Sequence, residues 1–124
     1  MKFEYSNLNP SHKRTGDCAV RAIANALGIS WESAIMQLAE MSTVTHVMPN
    51  ERTNTTAFLN SLGWTKHLAG GRKLKDLRFK GTHLVACHHR NKFHLTYVKD
   101  GKIIDTWNPE LLKVDYYFNP PKES

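Results

Sequence analysis

The chain has 124 residues and a net charge of +6 from 17 basic and 11 acidic side chains, with 40% hydrophobic and 23% charged residues. These values are typical of one globular domain with its own apolar core, and they exclude a disordered or membrane-embedded chain. No apolar run approaches the roughly 18 residues of a membrane span, and "MKFEYSNLNP" lacks the apolar segment of a signal peptide. We therefore expect a single cytoplasmic domain over residues 1–124 without membrane contact. The composition leaves the oligomeric state open.

The N-terminal part of the chain predicts two helices behind an extended lead-in over residues 1–16. The segment "RTGDCAVRAIANALG", 14–28, has apolar residues at helical spacing, and Gly28 predicts the end of this first helix. Ser30 is suited to cap a second helix, because its hydroxyl can accept from a free backbone N–H at the helix start. Trp31 falls on the apolar face of the second helix, and we expect it in the core.

A third helix is predicted over residues 54–64, "NTTAFLNSLGW", with Asn54 as the N-cap and Gly63 as its end. Two glycines at 70–71 then predict a chain turn, and the spacing of the leucines that follow predicts a brief helical turn around 74–77. These short elements lead into the second half of the chain.

The hydrophobic pattern changes to alternation from residue 82 onward, which is typical of β-strands. Asp100 and Gly101 predict a two-residue hairpin turn, because both residue types adopt left-handed backbone conformations readily. Helices followed by a meander of strands indicate an α+β fold. In this fold the N-terminal helices, the first of which begins at Cys18, are expected to pack on a C-terminal antiparallel sheet. The predicted strands cover residues 82–89, 92–98, 102–107 and 113–118.

The hairpin turn also predicts which side chains meet across two of these strands. Counting back from the turn, Thr96 faces Asp105 and His94 faces Trp107. Asp105 is then the diagonal neighbour of His94 on the same face of the sheet. A carboxylate in that place can fix the tautomer of an imidazole and stabilise the imidazolium. The sequence therefore predicts a His94–Asp105 pair, with Trp107 as a wall of the core or of a cleft.

Cys18 stands at the predicted start of the first helix, where unpaired backbone N–H groups lower the pKa of a thiol. Gly16 gives the backbone before it the freedom to approach other groups closely. Asp17 can cap the helix, but its negative charge opposes a thiolate unless Arg21 or Arg14 pairs with it. We therefore interpret Cys18 as a candidate nucleophile.

Other side chains with metal-binding or redox chemistry receive structural interpretations. Cys87, in the middle of a strand, is expected to be buried and inert, and two cysteines are too few for a disulfide framework. His88 and His89 point to opposite faces of their strand, and no paired His/Cys spacing of a zinc site occurs. We expect neither a metal nor a cofactor. Trp64 is expected in the core.

The segments "GDCAVRAIA" and "FHLTYVKDGKIIDTW", followed by "NP", resemble the papain-like cysteine peptidases. The resemblance is closest to the bacteriocin-leader-processing type, and short uncharacterised phage proteins share the GDCxVRAIA motif. It implies a papain-like fold in which Cys18 is the nucleophile, His94 the general base and then acid, and Asp105 the orienting group. Asn108 is the alternative orienting group, because the acid of the family often immediately precedes proline.

The same resemblance implies a side-chain donor for the oxyanion about six residues before the cysteine, where the family has glutamine. Here that position is His12, whose imidazole N–H can donate together with the backbone N–H of Cys18. Asn7 and Asn9 are alternatives for this donor. The implied activity is hydrolysis of a peptide, amide or isopeptide bond in a protein or peptide substrate.

Two other functions follow from the same residues. His12 in place of glutamine favours a catalytically idle papain-like fold that binds and inhibits a host factor. The basic segment 71–81, "GRKLKDLRFKG", favours a nucleic-acid-associated protein. Because apolar residues alternate with the basic ones and no aromatic platform accompanies them in the sequence, we interpret the segment as the solvated face of an amphipathic turn. Its cations are Arg72, Lys73, Lys75, Arg78 and Lys80.

Overall fold

A computed structural model describes residues 1–122 of the chain. These residues form an α+β fold with three helices and one six-stranded mixed sheet. In chain order the elements are β1 (Lys2–Tyr5), α1 (Cys18–Leu27), α2 (Trp31–Thr45), α3 (Arg52–Ser61), β2 (Thr65–Leu68), a 3-10 turn (Leu74–Asp76), β3 (Thr82–His89), β4 (Lys92–Lys99), β5 (Lys102–Asp105) and β6 (Val114–Asn119). None of the described helices has the length and apolarity that a bilayer crossing requires.

The sheet has the strand order β1-β5-β4-β3-β6-β2 and is mixed rather than purely antiparallel. The lead-in, predicted as extended chain only, contributes β1, which pairs in parallel with β5 through Phe3 and Ile103. β2, also missing from the prediction, adds the opposite edge by pairing with β6. Both edge strands are four residues long and exposed, so they lack the alternation that marked the central strands.

The hairpin between β4 and β5 has the predicted register. Asp100 and Gly101 have φ angles of 50° and 76°, as a tight two-residue hairpin turn requires. Val98 pairs with Ile103 across the strands. β5 ends at Asp105, two residues earlier than predicted, so the chain leaves the sheet immediately after the residue predicted to meet His94.

The start of α2 confirms one predicted cap and the start of α3 corrects another. The hydroxyl of Ser30 accepts a 3.0 Å hydrogen bond from the backbone N–H of Ser33. Helix α3 begins at Arg52 rather than after Asn54. Asn54 is instead fully buried within α3, where its amide donates to the carbonyl oxygens of Leu38 and Pro49. It ties α2 and the following loop together, which local sequence rules do not anticipate.

Two apolar clusters cover the two faces of the sheet. Helix α1 buries Val20 and Ile23 on one face, against strand residues such as Leu95. On the other face, Leu74 and Leu77 of the basic segment pack on Val85, Val98, Ile103 and Val114. The packing fixes the start of α1 beside β4, which positions the candidate site.

Candidate active site

Cys18 is the first residue of α1, as predicted, and its side chain is half-buried. The His94 ring on β4 lies close enough to the thiol for each group to shift the pKa of the other. Its sulfur is 3.4 Å from Nδ2 of Asn50 and 3.8 Å from the carbonyl oxygen of Phe93. Among the described residues the backbone N–H of Cys18 has no acceptor, as expected at the first position of a helix. The sulfur therefore has one side-chain amide donor and one carbonyl acceptor beside it.

His94 and Asp105 meet as the hairpin register predicts. The Nε2 atom of His94 donates to Oδ2 of Asp105 at 2.7 Å, and His94 is only 6% exposed. Because Nε2 is engaged by the carboxylate, Nδ1 is the ring nitrogen left for the Cys18 thiol. The Trp107 ring lies 4.6 Å from the His94 ring, centroid to centroid, and is 40% exposed. Trp107 thus forms a wall over the imidazole at the surface.

The carboxylate of Asp105 is held by four hydrogen bonds. Its Oδ2 accepts from the Thr96 hydroxyl at 2.6 Å as well as from His94. Its Oδ1 accepts from the Thr106 backbone N–H at 2.7 Å and from Arg21 at 3.1 Å. These donors leave the carboxylate one orientation, directed at the imidazole.

Asn108, the alternative orienting residue, does not reach the His94 ring. It is exposed, and its side-chain oxygen accepts from the backbone N–H of Glu110 at 3.1 Å. Asp105 is the residue that contacts the imidazole. The strand register decides this choice, whereas proximity to Pro109 in sequence does not.

The charges of the three side chains support one another. Burial is the largest influence on the Cys18 thiol and opposes ionisation, but hydrogen bonds from His94 and Asn50 and the charge of His94 lower its pKa on balance. Burial also opposes protonation of His94, yet its bonds to Asp105 and Cys18 raise its pKa to about 9. The pKa of Asp105 is lowered, since the donors outweigh burial. At neutral pH the site therefore holds an imidazolium and a carboxylate, and the bonds and charge around Cys18 favour the ionised form of its thiol.

Asp17 carries a charge next to Cys18 but is neutralised by its neighbours. Its carboxylate accepts from Nε of Arg21 at 2.9 Å, from the Trp31 indole N–H at 3.0 Å and from Asn9 at 3.3 Å. The predicted pairing with Arg21 is confirmed, and the same guanidinium reaches Asp105. The prediction that the Asp17 side chain caps α1 is wrong, because the carboxylate is directed at these three donors instead.

Asn50 takes the capping role and was not identified from the sequence. Its Oδ1 accepts from the backbone N–H groups of Ala19 at 2.8 Å and Val20 at 3.2 Å. In the sequence Asn50 reads only as part of a chain break after Pro49. It lies 32 residues from Cys18, and no local pattern connects the two.

His12, predicted to donate to the oxyanion, is exposed at the surface with φ of 51°. Its backbone N–H donates to the carbonyl of Asn9 at 2.9 Å, and its side chain has no hydrogen-bond partner among residues 1–122. His12 lines a cleft of about 460 Å³ together with Arg14 and Trp107. A second cleft of about 490 Å³ is lined in part by Gly16, Met48, Asn50 and Phe93, and the last two of these contact the Cys18 sulfur.

The remaining candidate residues have structural surroundings. Cys87 is fully buried, and burial with the charges of Asp105 and Asp115 raises the pKa of its thiol to about 12. Nδ1 of His88 donates to the Asp115 carboxylate at 2.9 Å on the sheet surface. Within the described part of the chain, no group of three or more His, Cys, Asp or Glu side chains is arranged to hold a metal ion.

The basic segment 71–81 crosses the face of the sheet opposite to α1, with its cations exposed and its leucines buried, as predicted for an amphipathic turn. The expectation that no aromatic platform accompanies it is wrong in three dimensions. Phe79 contacts the Tyr117 ring at 5.2 Å, and His67 stacks on Tyr117 at 5.4 Å. These rings come from three separate parts of the chain, so the sequence concealed their proximity.

The site is thus assembled from a helix start, a strand, a hairpin end and a loop that are distant in sequence. Its arrangement can form a thiolate, move a proton and hold developing negative charge beside a free backbone N–H. Comparisons of this chain with protein-family models, with curated proteins and with solved structures give no match.

Proposed function

We propose that this protein is a papain-like thiol hydrolase of the cytoplasm that cleaves a peptide, amide or isopeptide bond. The observation that carries the proposal is the proximity of Cys18, at the start of α1, to His94, whose Nε2 bonds Asp105 at 2.7 Å. Opposite pKa shifts of the thiol and the imidazole accompany this geometry. A nucleophile, a base and an orienting group in this order are the requirements for covalent acyl transfer.

In the proposed reaction the Cys18 thiolate attacks the substrate carbonyl carbon and forms a C–S bond, while the carbonyl π electrons move to the oxygen. The backbone N–H of Cys18 donates to this oxyanion. Imidazolium His94 then protonates the leaving nitrogen from Nδ1, the C–N bond breaks, and an acyl-enzyme thioester remains. Neutral His94 next takes a proton from water, hydroxide attacks the thioester, and the acid and the Cys18 thiolate are released.

The substrate is proposed to be a protein or peptide lying across the two clefts that adjoin Cys18. One cleft has apolar lining residues such as Met48 and Phe93. The other is bordered by the cations Lys13 and Arg14, for which no salt bridge occurs among residues 1–122.

The proposal is tested by the rate at which iodoacetamide alkylates the protein, followed by intact mass between pH 4 and pH 10. We expect one fast label, absent in Cys18→Ala, with a pH midpoint well below that of free cysteine. In His94→Ala the midpoint should rise, and the rate near pH 6 should fall on the order of tenfold or more, since the stabilising cation is gone. A midpoint at the free-cysteine value in the unmodified protein would contradict the proposal. A perturbed thiol that never turns over an acyl group would instead favour the idle, partner-binding alternative.

A second candidate function is binding of single-stranded nucleic acid by the basic segment. The observation that favours it is the set of aromatic rings His67, Phe79 and Tyr117 beside exposed cations. None of the five cations of the segment forms a salt bridge within residues 1–122. Cations that follow a phosphate backbone and rings on which bases stack are the elements of such a surface.

This second function is tested with a fluorescently labelled oligothymidylate and fluorescence anisotropy at several salt concentrations. If it is correct, Arg78→Glu lowers the slope of log affinity against log salt, about one unit per lost phosphate contact. His67→Ala should weaken binding while leaving that slope unchanged. Absence of salt-sensitive binding by the unmodified protein would exclude the function.

A further inference from the structure

Asn50 lies in the loop between α2 and α3, and its amide oxygen is fixed by the start of α1. Oδ1 accepts from the N–H groups of both Ala19 and Val20. Exchanging the amide oxygen and nitrogen would place an NH₂ group against two N–H donors, which is unfavourable. The amide therefore has one orientation, decided by the helix rather than by the thiol.

The loop that carries Asn50 is clamped on both sides of this residue. The Pro49 carbonyl accepts from the buried Asn54 amide at 2.9 Å. The Glu51 carboxylate accepts from the backbone N–H of Met48 at 2.6 Å. These bonds hold the amide in place before any substrate arrives, and such preorganisation is what makes a donor effective in catalysis.

The orientation of the amide directs Nδ2 at the sulfur of Cys18, 3.4 Å away. An amide NH₂ group has two N–H bonds. The Cys18 sulfur is the acceptor that the NH₂ group of Asn50 contacts among the described residues. The free backbone N–H of Cys18 lies at the same helix start. Two donors thus converge on the position next to the nucleophile, one from a side chain and one from the backbone.

We infer that Asn50 is the side-chain donor of the oxyanion hole, in the role that the family resemblance implied for His12. This inference rests on the proposed hydrolase function. When the thiolate attacks and the carbonyl oxygen becomes negative, Nδ2 of Asn50 and the N–H of Cys18 donate to that oxygen. The contact of Nδ2 with the sulfur in the free protein keeps the amide beside the reacting atoms. His12 has no comparable anchoring, because its side chain is exposed and without a hydrogen-bond partner in residues 1–122.

The test compares two reactions of the same thiolate. Iodoacetamide alkylates sulfur by displacing iodide and develops no oxyanion. p-Nitrophenyl acetate acylates sulfur through a tetrahedral oxyanion, forms a thioester and releases p-nitrophenolate. Both rates are measured on the plateau above the Cys18 midpoint, where the thiol is fully ionised. The ratio of acylation to alkylation then reports the oxyanion donor and is independent of the thiol pKa.

Asn50→Asp and Asn50→Ala form the variant pair. Asn50→Asp keeps an oxygen that accepts from Ala19 and Val20, so it preserves the helix cap while removing the donor. We expect the ratio to fall about tenfold or more in both variants, against the 10²- to 10³-fold loss typical when a donor is removed in amide hydrolysis. Asn60→Asp and Asn60→Ala, at an exposed position on α3, are the matched controls and should keep the ratio of the unmodified protein. Circular dichroism checks folding, and Asn50→Asp decides the question if Asn50→Ala unfolds.

The outcomes separate this inference from the proposed function. If the unmodified protein is acylated no faster than free cysteine, the hydrolase proposal itself fails. If it is acylated fast but both Asn50 variants keep the ratio, only the role of Asn50 is overturned. A larger loss of the ratio in His12→Ala than in the Asn50 variants would return the role to His12.

Discussion

Cys18 and Cys87 show how differently one side chain behaves at two places in the same fold. Cys18 begins α1 and is half-buried, whereas Cys87 lies in the middle of β3 and is fully buried. The Cys18 sulfur has the amide of Asn50 and the ring of His94 around it. Each sulfur also lies near a carbonyl oxygen, Cys18 at 3.8 Å and Cys87 at 3.6 Å, but among the described residues no side-chain donor bonds the Cys87 sulfur. The pKa of the first thiol is lowered and that of the second is raised to about 12.

This difference teaches that donors and charges, more than depth, decide the chemistry of a thiol. Burial opposes ionisation of both side chains and is the largest influence on each. Only at Cys18 do an imidazolium and hydrogen-bond donors outweigh it. At Cys87 the nearby carboxylates add to the effect of burial. Substitutions at and around Cys18 would abolish or enlarge this difference between the two thiols.

The largest expected effect is the complete loss of native labelling in Cys18→Ala. Iodoacetamide at pH 7 should attach one group to the unmodified protein and none to this variant, because a thiol with a pKa of about 12 is un-ionised. Cys87→Ala should label like the unmodified protein. In denaturant the unmodified protein should label at both cysteines. Intact mass gives the count, and labelling of Cys87 in the folded protein would contradict the contrast.

Asp105→Asn should lower the turnover of p-nitrophenyl acetate by about 10²- to 10⁴-fold, as removing the charge of an orienting carboxylate does in comparable triads. An amide at this place leaves the imidazolium without its counter-charge and makes the other tautomer possible. The comparison variant is Asn108→Ala, since Asn108 competed with Asp105 in the sequence. Steady-state kinetics of the two variants measure the loss of turnover in each. A larger loss in Asn108→Ala than in Asp105→Asn would overturn the assignment of Asp105 as the orienting residue.

Arg21→Met should make Cys18 behave more like Cys87. The guanidinium bonds both Asp17 and Asp105, and its removal leaves the buried Asp17 without a cation and Asp105 with only the His94 imidazolium. We expect a loss of about 3–5 kcal/mol in the free energy of unfolding, measured by urea denaturation. The alkylation midpoint of Cys18 should also rise, because Asp17 is no longer neutralised. Arg21→Lys, which keeps the charge, should lose less free energy of unfolding than Arg21→Met. Equal losses in the two variants would argue against the charge as the cause of the destabilisation.

The smallest effect concerns the pH dependence of stability. The raised pKa of His94 contributes stability that is fully present below pH 6.5 and is lost as the pH rises through about 9. The lowered pKa of Cys18 contributes stability that is present above pH 9 and is lost as the pH falls. The two dependences oppose each other, so together they change stability less with pH than either does alone. In Cys18→Ala only the histidine contribution remains, supported by its bond to Asp105, and it is lost as the pH rises above 6.5.

The corresponding measurement is urea denaturation of both proteins at pH 6 and pH 9. From pH 6 to 9 the free energy of unfolding of Cys18→Ala should fall by about 1–2 kcal/mol relative to that of the unmodified protein. Comparing the two proteins cancels the contributions of the other titrating groups. Parallel pH profiles would show that the thiol and the imidazole are not coupled.

Much of the site could be predicted because it depends on short-range rules. The Asp-Gly turn determines the register of β4 and β5, and the two-residue period of strands then brings His94 and Asp105 to one face. The helical spacing after Cys18, with Gly28 as the stop, placed the thiol at a helix start. Each of these rules involves residues close together in the chain.

The features that were missed all involve contacts between distant segments. β1 joins β5 in parallel, a pairing with no local sequence signal. Asn54 follows a loop and looks like a cap, but the packing of α2 against α3 buries it inside a helix. Tyr117, which contacts both His67 and Phe79 beside the basic segment, likewise lies on a strand far from that segment in sequence.

By itself, the sequence determined that a cysteine opens a helix and that a histidine and an aspartate share a strand face. Periodicity and turn chemistry act over a few residues, so these features can be read directly. Only the tertiary structure decided that the two parts meet, that Arg21 rather than Arg14 pairs with Asp17, and that Asn50 directs its amide at the thiol. The reason is physical, because a hydrogen bond across 32 residues depends on how helices and sheet pack rather than on the residues beside it.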